Sequence, residues 1–161
     1  MKVIIRKAIK SDAAAIFSLI KELAVFEKEP EAVIISQAQI EKDGFGDLPL
    51  FECRVAEADK KVVGMALYYP RYSTWKGPTF QLEDLIVTKK MKGKGLGSQL
   101  YKAFLKHAYE VGVERVEWAV LDWNYSAIKF YKKSGAQVLD DWKTVQMDRK
   151  SIENYISKIN T

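Results

Sequence analysis

Cysteine and histidine occur once each in this 161-residue chain, at Cys53 and His107. A lone cysteine excludes an internal disulfide. It sits in an alternating apolar strand pattern with no histidine near it in sequence, which argues against a cysteine nucleophile. His107 lies three residues after Phe104 on a helix face and reads as a packing residue. No apolar run is long enough to span a membrane, and Met1 leads into a strand pattern without a signal peptide. The expected location is therefore cytoplasmic, with no membrane partner. Internal repeats, low-complexity tracts and linkers are missing, and 48% hydrophobic content over this length predicts one well-cored domain, 1–161. No metal site is expected. Two phosphate-binding signatures are also missing: G-x-x-x-x-G-K-[ST] has no match, and G-x-G-x-x-G counted from Gly93 meets Ser98 where its last glycine belongs.

A uniform basic face is lacking too. The chain has 26 Lys plus Arg against 21 Asp plus Glu, a net charge of +5. Glu22, Glu27, Glu29 and Glu31 gather in the first third, whereas Lys89, Lys90, Lys92 and Lys94 surround a glycine cluster. That distribution points to a small polyanion as ligand and away from nucleic acid.

What is present centres on TFQLEDLIVTKKMKGKGLGSQLY, from Thr79 to Tyr101. It reads as strand, basic turn, glycine loop and helix. The strand carries two adjacent carboxylates, Glu83 and Asp84, inside an apolar run, where charge is out of place unless it has work to do. The loop Gly93-Lys94-Gly95-Leu96-Gly97 opens a helix whose free N–H groups and partial positive charge suit a phosphate. From the residues alone, an anion site and a plain strand-to-helix turn both remain open.

In chain order, the pattern predicts a strand over 2–7 and a helix capped by Ser11 from Asp12 to near Phe26, buried along Ala13, Ile16, Phe17, Ile20, Leu23 and Ala24. A second helix is expected over 36–42, closed by Gly44 and Gly46. Strands over 51–58 and 61–72 flank a tight turn at Asp59-Lys60. After the 80–87 strand comes a helix from Gly95 with a stripe of Leu96, Leu100, Phe104, Ala108 and Val111, stopped by Gly112. Then follow a strand over 115–121, a helix from Tyr125 to about Ser134, a closing strand pair over 137–140 and 143–147, and a short terminal helix over 151–161. Asn124, Ala127 and Tyr131, spaced three and four apart, share one helix face. That face suits an extended ligand, although Tyr131 also fits as an ordinary core aromatic. The expected class is α/β, a mixed sheet covered by helices.

Lys92-Gly93-Lys94-Gly95-Leu96-Gly97-Ser98 after a strand, with NYSAIKFYKKSGA from Asn124, resembles the paired acetyl-CoA motifs of the GNAT superfamily of N-acyltransferases. LIKELAVFEKEPEAV from Leu19, DGFGDLPLFECRVAE from Asp43, YSTWKG from Tyr72, LEDLIV from Leu82 and AVLDWN from Ala119 resemble its diamine acetyltransferase family. That family includes spermidine/spermine and thialysine N-acetyltransferases, and YSTWKG and AVLDWN lean to the thialysine branch. The likeness covers nearly the whole chain.

The resemblance implies a mostly antiparallel sheet with a parallel splayed pair, helices on both faces, a homodimer, and acetyl-CoA as acyl donor to a small amine. It implies that the backbone of Leu85, Ile86 and Val87 pairs with the pantetheine arm and that Lys92, Gly93, Lys94, Gly95, Leu96, Gly97 and Ser98 hold the pyrophosphate. Asn124 and Ala127 would line the thioester end. Where the superfamily usually has arginine or glutamine, this chain has Lys92, which supplies charge without a bidentate fork. Glu83 would be the base, acting through a water with its basicity raised by partial burial, and Tyr131 the general acid toward the departing thiolate. Phe26, Glu27, Glu83 and Asp84 would contact the cationic substrate, with Phe26 standing where the diamine enzymes often have tyrosine. A protein-lysine acetyltransferase and a non-catalytic acyl-CoA-binding module are the competing readings.

Overall fold

A computed structural model describes residues 2–159. Those residues fall into two compact units, the first ending at Ala119 and the second beginning at Val120.

The first unit is a five-stranded sheet in the order β1-β2-β3-β4-β5, with β1 Val3–Lys7, β2 Glu52–Ala58, β3 Lys61–Ser73, β4 Gly77–Val87 and β5 Val116–Glu117. Neighbours are antiparallel except β4 and β5, which run parallel. Asp59 and Lys60 both adopt positive φ, 47° and 65°, the conformation that a two-residue hairpin turn needs to match strand twist.

Alternation along β3 sends successive side chains to opposite faces, and a helix covers each face. Helix α1, Ala13–Phe26, lies on the face formed by Val55, Met65, Leu67 and Ile86, burying Ala13, Ile16, Leu19 and Ala24. Helix α3, Leu96–Val111, lies on the other, where the Tyr68 ring stands 4.9 Å from Phe104 and 5.4 Å from Phe80. Each large apolar side chain so enclosed contributes about 1.5–3 kcal/mol relative to exposure. Val111, expected at the end of the α3 stripe, is exposed.

Local chemistry explains other departures from expectation. Ser11 does not cap α1; a short 3-10 turn, Lys10–Asp12, precedes the helix. Asp12 instead accepts from the Ile9 amide at 2.8 Å and from both terminal nitrogens of Arg6 at 2.7 and 2.9 Å. Arg6 Nε also donates to Glu57 at 2.9 Å, so one guanidinium ties β1 to the turn and to β2. Helix α2, Gln37–Phe45, begins as expected at Ser36, whose hydroxyl accepts from Gln39, and runs through Gly44.

The second unit contains helices α4, Tyr125–Lys133, and α5, Arg149–Ile159, and no strand among its described residues. The expected strand over 115–121 shrinks to Val116–Glu117, and the pair over 137–140 and 143–147 does not form. Alternation signals a strand only where a neighbour supplies the ladder. Leu139, Trp142, Val145 and Met147 are exposed instead.

Candidate active site

The two carboxylates that stand out in the sequence lie at an irregularity of β4. Leu67 pairs with Asp84 and Tyr68 with Leu82, which leaves Glu83 as an extra residue, a β-bulge. Regular pleating would send adjacent side chains to opposite faces; here both Glu83 and Asp84 line one cleft of about 450 Å³. Its walls come from α1, the following loop, α2 and the sheet. Glu27, Glu29 and Asp43 bring its carboxylates to five, set against apolar Leu23, Ile40, Phe51 and Leu67, and no lysine, arginine or histidine is among its lining residues.

Crowding that many carboxylates in a partly dry cleft is costly. Burial, with Glu83 and Glu27 nearby, pushes Asp84 up to about 7. Burial and the Glu83 charge also raise Glu27. The burial expected at Glu83 is found at its neighbour: Glu83 is exposed and accepts a 2.9 Å hydrogen bond from the Tyr69 hydroxyl. Neither the bulge nor Tyr69 had a signal in the sequence beyond the misplaced carboxylate pair.

Parallel pairing of β4 with β5 extends over Phe80↔Val116 and Gln81↔Glu117 alone. Past Gln81, no described strand pairs with that edge of β4, the part of the strand that holds Leu85, Ile86 and Val87. Below them the chain turns into α3. Gly93 and Gly95 adopt φ of 79° and 76°, and a Cβ at either would meet nothing within 4 Å, so backbone conformation is what demands glycine there. Gln99 N–H bonds the Gly95 carbonyl at 3.1 Å, and the amides of Leu96, Gly97 and Ser98 precede the first intrahelical bond. Lys94 is exposed, its ammonium 3.6 Å from Met91 Sδ. Lys92 is also exposed, and its ammonium lies 4.6 Å above the Phe26 ring. A second tie joins this loop to α1: Lys89 N–H donates to Glu22 at 2.8 Å.

In the second unit, Asn124 caps α4, its Oδ1 accepting from Ala127 N–H at 3.3 Å. The carboxamide expected to bond a ligand thus has its oxygen engaged by the helix. Tyr131 is buried, with its ring 5.4 Å from Phe130. The structure therefore gathers Phe26, Glu27, Glu83 and Asp84 with the glycine loop in the first unit, and Asn124, Ala127 and Tyr131 on one helix in the second.

Burial raises the Cys53 thiol well above its ordinary range, consistent with an inert core residue. His107 stacks on Phe80 at 5.6 Å and meets Glu52 at 3.2 Å, a packing role. Trp75 and Trp142 are exposed.

A mixed sheet with two parallel pairs at its β4–β5 edge, a glycine turn at a helix start and an acidic cleft along β4 make this an α/β protein. The family model for the Acetyltransferase (GNAT) family matches residues 13–136, and the chain belongs to that family. It is 42% identical over 147 residues to the thialysine N-epsilon-acetyltransferase of Bos taurus, covering 86% of each chain. It is 34% identical over 158 residues to the human spermidine/spermine N(1)-acetyltransferase-like protein 1, covering 92% of this chain and 23% of that one. Its fold matches an integron cassette protein from the mobile metagenome of V. cholerae with TM-score 0.79 at 23% identity, covering 97% of this chain and 98% of that one.

Proposed function

We propose that this GNAT enzyme transfers the acetyl group of acetyl-CoA to a primary amine of a small cationic substrate, by direct attack in a ternary complex. The observation that carries this reading is the bulge that turns Glu83 and Asp84 together into a cleft lined by carboxylates. An aliphatic amine has a pKa near ~10.4 and arrives protonated. Carboxylates attract it, and one must then take its proton.

In this reading Glu83 accepts that proton through a water, and the freed nitrogen attacks the thioester carbonyl. The N–C bond forms, an amide of Leu85 to Val87 meets the oxyanion, and as the intermediate collapses the C–S bond breaks, Tyr131 protonates the leaving thiolate, and the proton still on the nitrogen passes through water to restore the phenol. The pantetheine arm runs along the open edge of β4. The amides of Gly93 to Ser98 take the pyrophosphate, with Lys92 and Lys94 supplying charge, and Asn124 and Ala127 line the thioester end. Phe26 and Glu27 contact the substrate.

The cleft lining favours a polyamine, because an amino acid such as lysine or thialysine brings a carboxylate that would face only like charge there. The thialysine N-epsilon-acetyltransferase likeness keeps the lysine-like amine as the second candidate. We further propose that the chain works as a single cytoplasmic domain in a homodimer, without nucleic acid or membrane; exposed Ile152, Tyr155, Ile156 and Ile159 on α5 support a second copy.

The test is thiol release from acetyl-CoA, followed spectrophotometrically over spermidine, spermine, putrescine, lysine, thialysine and a histone peptide. Release is expected with the polyamines first. Preference for the peptide would move the reading to protein lysine, and no release with any amine would sink it.

A further inference from the structure

We propose that Tyr69 is a positioning residue for this reaction, holding the Glu83 carboxylate in the one orientation from which it takes the amine's proton; this rests on the acetyltransferase reading above. Glu83 sits where the ladder is interrupted, since it has no partner across β3. A bulged residue of that kind keeps neither the pleat's direction nor a neighbour to pack it. The exposed glutamate would sample several rotamers, and ordering a long, rotamer-rich side chain carries an entropic cost. Something must hold it for a proton transfer that requires a defined distance.

Tyr69 is the group placed to do so. It lies on β3 opposite Gln81, two residues past Leu67 on the cleft side, just beyond the slip in register. Its hydroxyl donates to Glu83 Oε2 at 2.9 Å, which fixes one oxygen and leaves the other for the water or amine. The phenol can serve as donor over the whole working range, because burial and the Glu83 charge lift it above the ordinary tyrosine value against a smaller opposing influence of Arg71. The remaining charged groups around Glu83 offer no alternative anchor. Asp84 beside it and Glu27 across the cleft are carboxylates whose charges repel it. Arg71, further along β3, is engaged by Gln81 at 3.3 Å and Glu117 at 2.9 Å.

The experiment is a double-mutant cycle with Tyr69→Phe, Glu83→Gln and the pair, assayed with the best amine. Tyr69→Phe keeps the ring and removes the donor. A hydrogen bond to a charged group implies about a tenfold loss of kcat, with the amine KM and the Tm nearly unchanged and the acidic limb of the rate profile moved to higher pH. In the Glu83→Gln background the same substitution is expected to change nothing further. An equal loss in both backgrounds, or a loss explained by a lower Tm, overturns the proposal. A second readout needs no turnover: the side-chain carboxyl 13C resonance of Glu83, titrated in wild type and Tyr69→Phe, should shift its midpoint upward in the variant. Superimposed titration curves also overturn the proposal. A wild type that acetylates nothing would instead refute the acetyltransferase reading, and the carboxyl titration would still decide whether Tyr69 holds Glu83.

Discussion

Replacing Asp84 with asparagine should stabilise this protein at alkaline pH and leave it unchanged in acid. Asp84 is lifted from 3.8 to about 7, first by burial and then by Glu83 and Glu27. The folded state therefore binds a proton more tightly than the unfolded chain does. Native stability from this group is fully present below 3.8 and is lost as pH rises through about 7. A difference of about 3 units at 1.36 kcal/mol each is about 4 kcal/mol. Asparagine keeps the shape without the charge, so Asp84→Asn should gain about that much at pH 8, roughly 8–16 °C in Tm for a domain of this size. Thermal unfolding of both proteins from pH 4 to 9 measures it. Converging Tm values at low pH and divergence above 7 are expected. A pH-independent offset, or a less stable variant at pH 8, would refute the assignment of the strain to a buried charge. Spermidine should raise the wild-type Tm more at pH 8 than at pH 5, since a bound cation offsets the cost that the cleft's carboxylates impose.

Three further outcomes follow from the site and its scaffold. Tyr131→Phe should lower kcat by about 100-fold or more if the phenol protonates the thiolate, and unchanged turnover across pH would contradict that role. Lys92→Met should raise the KM for acetyl-CoA severalfold and weaken its salt dependence while sparing kcat, whereas Lys92→Arg should lower that KM through a bidentate fork. Asp12→Asn breaks the pairing that spans β1, the turn and β2, and should cost roughly 2–4 kcal/mol in urea unfolding at pH 7. Arg6 holds the Asp12 carboxyl below its usual range, so the stability it confers should be present in neutral solution and fade only in strong acid.

Most of the fold was legible because its elements announce themselves locally. The periodicity of α1 and α3, the Asp59-Lys60 turn and the glycine loop before Leu96 each carry a pattern tied to backbone geometry. The C-terminal strands over 137–140 and 143–147 failed because a ladder partner, which no local pattern encodes, decides whether alternating residues become a strand. Ser11 does not cap α1 because it lies inside the 3-10 turn Lys10–Asp12, which Asp12 closes onto the Ile9 amide and Arg6. In the site, a charge pair within an apolar run was visible at Glu83 and Asp84, yet which carboxylate is buried depends on one slipped pairing between Leu67 and Tyr68. Asp43 reaches the cleft, and the Tyr69 hydroxyl reaches Glu83, through the fold alone.

The most direct test of base catalysis at Glu83 is the pH–rate profile of amine acetylation in wild type and Glu83→Gln. If Glu83 relieves the amine of its proton, the variant should lose most rate at low pH and approach wild type near ~10.4, where the amine sheds its proton unaided. Superimposed profiles, or a loss equal at every pH, would contradict it.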